Sequence, residues 1–454
     1  MTQHRMAAWG VAAGTFFLAG CGVESHPALS SAPRHPSIRD TARPMAASPA
    51  SVVPATPSEG SGSVAVSASR KTVPTSPAAA RRHSPGTLIT LDMVSAGQGW
   101  AIDMRGQVLR TGDGGQHWRN VASPGLIRAL RKQGSFMLRP FPGGNLIGNE
   151  GNGTAVAFPN PWTAWITTQP GNDTVQVWHT VDGGKRWTSA AIQRAAPGGP
   201  PMGFSYIAAV GQHDAWVAAA TQGLAGHVDI RVWRTRRGNR AWQRVFQDSA
   251  SGTSGLVFAT GAFGVLTEDN SVLYGPHNAP LAVTASGGQL WQQTGTLTSP
   301  VRSSLPLLPG NWDTTVMAPA VVSHTLEVVV PVLMQRAFPP KSAPLKTWWR
   351  LEASTNGGET WSMLPTTPHD VLQRPPNLVF QGWATPQDGW VVLGSQLYRT
   401  VDGGCQWKAS RLPEGAVVNL SRVSAMIGFV LVQRGAHTAI YRTRDGGLHW
   451  FPVS

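Results

Sequence analysis

Between residue 111 and residue 450 the chain repeats, seven times, a short box that ends in tryptophan. Thr111-Gly112-Asp113-Gly114-Gly115-Gln116-His117-Trp118 recurs as TVDGGKRW at 180–187, TVDGGCQW at 400–407 and TRDGGLHW at 443–450. STNGGETW at 354–361, TASGGQLW at 284–291 and TRRGNRAW at 235–242 are degenerate copies, the last the most eroded. The boxes end at Trp118, Trp187, Trp242, Trp291, Trp361, Trp407 and Trp450, at intervals of 69, 55, 49, 70, 46 and 43 residues. A unit of this period cannot bury its apolar face alone and must stack on its neighbours.

A second motif places strands within each unit. Gly99-Trp100-Ala101, Ala164-Trp165-Ile166, Ala215-Trp216-Val217 and Gly389-Trp390-Val391 each open a short apolar strand. Next comes a strand ending in Arg-Thr or His-Thr, as in Val108-Leu109-Arg110-Thr111 and Leu397-Tyr398-Arg399-Thr400, and then the box. Each unit therefore reads as three strands, the box and a fourth strand, with Gly-rich turns between them. This predicts an all-β fold, a seven-bladed β-propeller over residues 87–454 with sequence-continuous blades and little strand exchange between the ends. The box is expected to be the hairpin turn between the third and fourth strands. Asp113, Asp182, Asn356, Asp402 and Asp445 would accept turn hydrogen bonds, the paired glycines would supply positive φ, and the tryptophans would pack between blades.

The S/T-x-D-x-G-x-x-W pattern resembles the Asp-box, or bacterial neuraminidase repeat. That repeat occurs in sialidases, xyloglucan-active glucanases, sortilin-type receptors and the photosystem II stability/assembly factor family. Seven boxes in an exported chain with G-W-A strands are most similar to the last of these. The resemblance implies a propeller that binds a protein partner and assists its assembly or stability. The alternative is a carbohydrate-active or glycan-binding propeller, sialidase-like or a glycoside hydrolase, since fold does not carry function with it.

The N-terminal region gives an address. Arg5, an apolar stretch from Met6 to Leu18 and Leu18-Ala19-Gly20-Cys21 read as a signal peptide over residues 1–21. The stretch is shorter than the roughly 20 residues that span a bilayer. Its end resembles the bacterial lipobox, which implies a diacylglyceryl thioether on Cys21. Cys405 would then be the only free thiol, with no intrachain disulfide. Residues 22–86 are rich in Pro, Ser, Ala and Thr and hold no Phe, Trp or Tyr, so they predict a disordered tether. The expected location is outside the cell's inner membrane: lipid-anchored on the outer face of the bacterial cytoplasmic membrane or facing the periplasm.

Little in the sequence points to catalysis. Charged residues are only 13% of the chain, with a net charge of +14. No H-x-x-x-H, C-x-x-C, P-loop or dinucleotide fingerprint occurs, so no metal and no cofactor are expected. No F/Y-R-I-P segment lies between Gly86 and Thr111. Tyr398 and Tyr441 read as strand residues, and His117, His179 and His449 as surface residues of the repeats. Glu268, Asp269, Glu327, Glu352, Asp370 and Asp388 are acids with no spacing that selects a glycosidase pair.

Strand parity instead predicts where a partner binds. Turns joining strands one to two and three to four share one face; two-to-three loops and interblade segments lie on the other. Ser123-Pro124 reads as an N-cap and N1 pair, and Gly134 as the stop of a short helix. Arg128, Arg131, Lys132 and Arg139 belong to this segment. Arg336, Lys341 and Lys346 belong to a blade-five insertion running from about Pro331 to Thr347, and Arg194 and Arg302 to interblade segments. These nine cations are expected to gather opposite the boxes, against only Glu150 and Asp313, and to receive a protein with an acidic surface. The expected partners are thus a membrane, through the lipid anchor, and one protein, with a glycan as the alternative. No nucleic acid is among them, and the chain is read as a monomer.

Overall fold

The computed structural model describes residues 86–132, 146–147, 154–171, 174–193, 202–222, 228–250, 253–268, 281–294, 312–316, 319–322, 326–336, 347–366, 368, 371–372 and 379–453. The signal, and the tether up to residue 85, lie outside them.

Alternating apolar residues bounded by glycine turns give short strands, and these assemble into seven antiparallel sheets in chain order. Blade 1 comprises Leu88–Met93, Gly99–Asp103, Val108–Thr111 and Arg119–Asn120. Blade 2 spans 146–193, blade 3 spans 202–250, blade 4 spans 253–294, blade 5 spans 312–372, blade 6 spans 379–411 and blade 7 spans 416–452. Among the described residues no sheet borrows a strand from another blade. The fold is a seven-bladed β-propeller.

Successive residues of a strand point to opposite faces, so each second strand serves two seams. In Gly389–Leu393, Val391 and Leu393 pack toward blade 5, whereas Trp390 and Val392 pack toward blade 7. Trp100, Trp165 and Trp216 likewise face the following blade. The box tryptophans face back: Trp118 packs with blade 7, Trp242 with blade 2 and Trp450 with blade 6. The two motifs therefore meet across seams. Trp165 and Trp242 approach edge-on at 6.0 Å, and Trp390 and Trp450 at 6.3 Å. Each of the seven apolar clusters is one seam of the ring.

Closure follows the same rule. Leu88, Leu91, Met93 and Trp118 of blade 1 pack on Val418, Phe429, Leu431 and Ile440 of blade 7. Thr438 Oγ1 accepts a bond from the Leu88 amide at 2.7 Å, and Ser421 Oγ one from the Met93 amide at 2.7 Å.

Two details depart from expectation. The second strand of blade 5, Val328–Arg336, includes Pro331, so the insertion begins after Arg336 rather than at Pro331. Lacking an N–H, Pro331 stands opposite a break in the first strand, which pairs as Trp312–Val316 and again as Ala320–Val321. The helix α1 covers Pro124–Lys132, and Ser123 Oγ accepts the Leu126 amide at 3.2 Å. Its Leu126 and Leu130 are fully buried in the seam between blades 1 and 2, leaving Arg128, Arg131 and Lys132 exposed.

Candidate functional site

The ring has two faces of different chemistry. On the box face, Thr111 Oγ1 donates to Asp113 Oδ1 at 2.9 Å and accepts the Gly115 amide at 3.0 Å. Asp113 Oδ1 also accepts the His117 amide at 2.9 Å. Asp182, Asp402 and Asp445 repeat this pattern with Thr180, Thr400 and Thr443. Asn356 repeats it with Ser354 and Thr360, and Ser286 accepts the Leu290 amide at 2.7 Å. Gly114 and Gly115 take φ of 78° and 93°, conformations that disfavour any side chain.

In every blade the first box glycine donates its amide to the turn between strands one and two. Gly114 bonds Gly97 O at 2.8 Å, and Gly446 bonds Met426 O at 2.9 Å. Both turns thus share one face, as strand parity requires. Burial would raise the box aspartates, but hydrogen bonds from backbone and threonine outweigh it and hold Asp113, Asp182 and Asp402 below the usual range. Asp445 falls to about 2 by the same balance. Each carboxylate is thus occupied within its own turn, and ionised at neutral pH.

Sequence reading missed the role of the residue before the box threonine. Arg234 crosses to blade 4, donating to Gly287 O at 2.8 Å and Gly261 O at 2.7 Å, with its guanidinium 4.6 Å above the Trp216 ring. Arg110 lies against Gly183 of the next box and 4.1 Å over Trp162. Arg399 lies against Gly446, and Arg442 against Gly114. These arginines are staples: each fastens its blade to the box of the next. In blade 2 the same place belongs to His179, which is buried rather than on the surface. Its ring stacks on Trp165 at 3.6 Å and its Nε2 lies 3.0 Å from Gln212 O. Burial, opposed by that bond, pushes its pKa down to about 4, so Nε2 donates from a neutral ring.

The acids weighed for catalysis separate accordingly. Glu352 is buried and paired with Arg350. Asp388 is buried at the seam of blades 6 and 7, 2.6 Å from Arg422 and 3.6 Å from Arg399. Tyr398 and Tyr441 are strand residues. The side chains of Glu268, Asp269 and Asp370 lie outside the described residues. Among the described residues, no cluster of three His, Cys, Asp or Glu could hold a metal ion.

The opposite face gathers positive charge at the joint of blades 7 and 1. Arg131 Nε donates to Arg105 O at 2.9 Å, joining α1 to the two-to-three turn of blade 1. A Cβ on Gly86 would meet Arg105 Nε at 3.4 Å, and Thr87 Oγ1 donates to Ala436 O at 2.9 Å. That contact brings in the Arg434–His437 turn. Arg105, Arg128, Arg131, Lys132 and Arg434 are all exposed, while of the described acids here Asp103 is buried and Glu414 is exposed. Arg105 and Arg434 were not anticipated; their signal was position in a two-to-three turn. Arg139, Arg194, Arg302, Lys341, Lys346, Glu150 and the side chains of Arg336 and Asp313 lie outside the described residues, as does Cys21.

Cys405 is half-buried in the box of blade 6.

No family model matches the chain, and no curated protein matches it. Solved structures similar to it include one described as YCF48 bound to D1 peptide, 18% identical over 79% of this chain and 91% of that one, with a TM-score of 0.43. YCF48 from Cyanidioschyzon merolae is 13% identical over 79% of this chain and 96% of that one, with a TM-score of 0.46. The GH74 xyloglucanase from Xanthomonas campestris is 10% identical over 80% of this chain and 77% of that one, with a TM-score of 0.31.

Proposed function

We propose that the chain is a lipid-anchored extracytoplasmic propeller whose face opposite the boxes binds a protein with an acidic surface and assists its assembly or stability. The observation that carries this reading is the run of Arg105, Arg128, Arg131, Lys132 and Arg434, with Glu414 the exposed acid beside it. Such a patch steers an acidic partner and fixes its orientation, while the stapled ring beneath keeps the charges in place. The α1 helix suits this role: its apolar side is locked into a seam, and its basic last turn complements the helix C-terminus.

The decisive experiment is charge reversal of Arg128, Arg131 and Lys132 to Glu together, with capture of membrane proteins on the full chain at two salt concentrations. The proposal expects the captured partner to bind the wild type more weakly as salt rises, and the variant weakly at both. Retained, salt-sensitive binding by the variant disproves it. Labelling with a palmitate analogue tests the anchor separately. The wild type should take the label, and Cys21→Ala should lose it along with membrane attachment.

A further inference from the structure

Three degeneracies coincide at one seam. Blades 4 and 5 carry the boxes in which Ser286 and Asn356 replace aspartate. Between them, the residue before the box threonine is Val283, not arginine, and it packs beside Gly358 of the next box instead of reaching over the seam. Where the staple and both carboxylates are gone, the box face opens into a cavity of about 590 Å³. Its floor is Phe263 and Val283, both buried, and its rim carries Leu290 and Leu326, which are 75% and 49% exposed.

Leu290 and Leu326 thus stand on the rim of a floor that is itself apolar, and together they make one contiguous apolar surface of the kind that marks a binding groove. The polar lining is asymmetric. Ser286 and Asn356 are occupied within their own turns. The side chains of Gln292 and Glu359 have no hydrogen-bond partner among the described residues, and Glu359 is the one charged residue of the lining. The site therefore offers an apolar well, a free amide and a negative charge, with no cation to hold an anion. Its volume falls within the roughly 300–1,000 Å³ of small-ligand sites.

We propose that this cavity is a binding site for a peptide segment of a protein partner. One large aliphatic or aromatic side chain enters between Leu290 and Leu326, and a neighbouring lysine or arginine meets Glu359. The Gln292 amide can bond the segment's backbone. This chemistry is the reverse of the basic face, so the two faces select different sequences and the inference does not rest on the proposed function.

The test is selection of a phage-displayed heptapeptide library on the full chain, with affinities of synthesised winners measured by fluorescence anisotropy. Winners should pair a large apolar residue with Lys or Arg. They should bind Leu290→Asp and the cavity-filling Ala285→Trp at least about tenfold more weakly, as for a binding hot spot. Glu359→Lys should weaken them further in proportion to their basic residues, while reversal of Arg128, Arg131 and Lys132 should leave them unchanged. Unfolding midpoints show that each variant keeps its fold. The inference fails if nothing enriches, if winners bind Leu290→Asp as tightly as wild type, or if acidic peptides win and are lost on basic-face reversal.

Discussion

The seam between blades 7 and 1 and the seam between blades 4 and 5 are built from the same repeat and end up opposite in character. The first joins the two ends of the propeller, yet it is sealed. Phe429 is buried under Arg442, whose guanidinium carbon lies 5.4 Å from the ring centre. Arg442 also lies against Gly114, and Ser421 ties the Met93 amide. The second joins blades that are continuous in sequence, yet it opens into the cavity floored by Phe263 and Val283. Covalent continuity therefore does not decide which seam is tight. At the first seam Arg442 is long enough to reach the next box, whereas at the second Val283 is too short to cross the wedge between blades.

The largest expected effect lies in the tight seam. Phe429→Ala empties a fully buried site and should cost about 3–5 kcal/mol, read from urea unfolding. Val330→Ala, in the seam of blades 4 and 5, should cost only about 2 kcal/mol. A Phe429→Ala loss below about 2 kcal/mol would mean that the closing seam is loosely packed.

A staple should come next. Arg234→Ala strands the Gly261 carbonyl, leaves Gly287 O with the Trp216 Nε1 bond alone and uncovers the Trp216 ring, a loss of about 1–3 kcal/mol. Arg442→Ala removes mainly a ring contact and should lose about 1 kcal/mol. An Arg234→Ala protein as stable as wild type would refute stapling.

The closing seam should also respond to pH. Burial raises Asp92 to about 7, against one hydrogen bond from Ser421. The native chain then keeps a proton that the unfolded chain releases near 3.8, so stability should fall as pH rises from about 4 to about 7 and stay low above that. Asp92→Asn should flatten this decline, by an amount of order 1 kcal/mol given its partial access to water. Urea midpoints at pH 4.5 and 7.5 measure it; the same slope in the variant would assign the titration elsewhere.

The smallest effect belongs to the open seam. Leu290→Asp sits on an exposed rim and should change stability by less than about 0.5 kcal/mol. A larger loss would mean that the leucine supports the fold rather than a ligand.

How legible the molecule was in its sequence depends on the distance over which each residue acts. The box turn is a local object: Thr111, Asp113, Gly115 and His117 satisfy one another within a few positions. The helix cap at Ser123 is equally local. His179 read as a surface residue because its partners, Gln212 and Gly238, belong to the next blade. Arg234 read as the end of a strand because Gly287 lies 53 residues further on. Arg105 and Arg434 went unnoticed because their proximity exists only once the ring closes through Thr87 and Ala436.

By itself the sequence determined that there would be seven blades, because seven boxes each bring the hydrogen bonds of one hairpin turn and one tryptophan that only a neighbouring blade can cover. It also determined which turns share a face, since antiparallel strands alternate direction. Only the tertiary structure decided which motif tryptophan faces forward and which back, which arginines fasten a seam rather than meet solvent, and where a seam stays open. Those outcomes depend on side-chain length against the gap between two blades, and that gap exists only when the blades are wedged together.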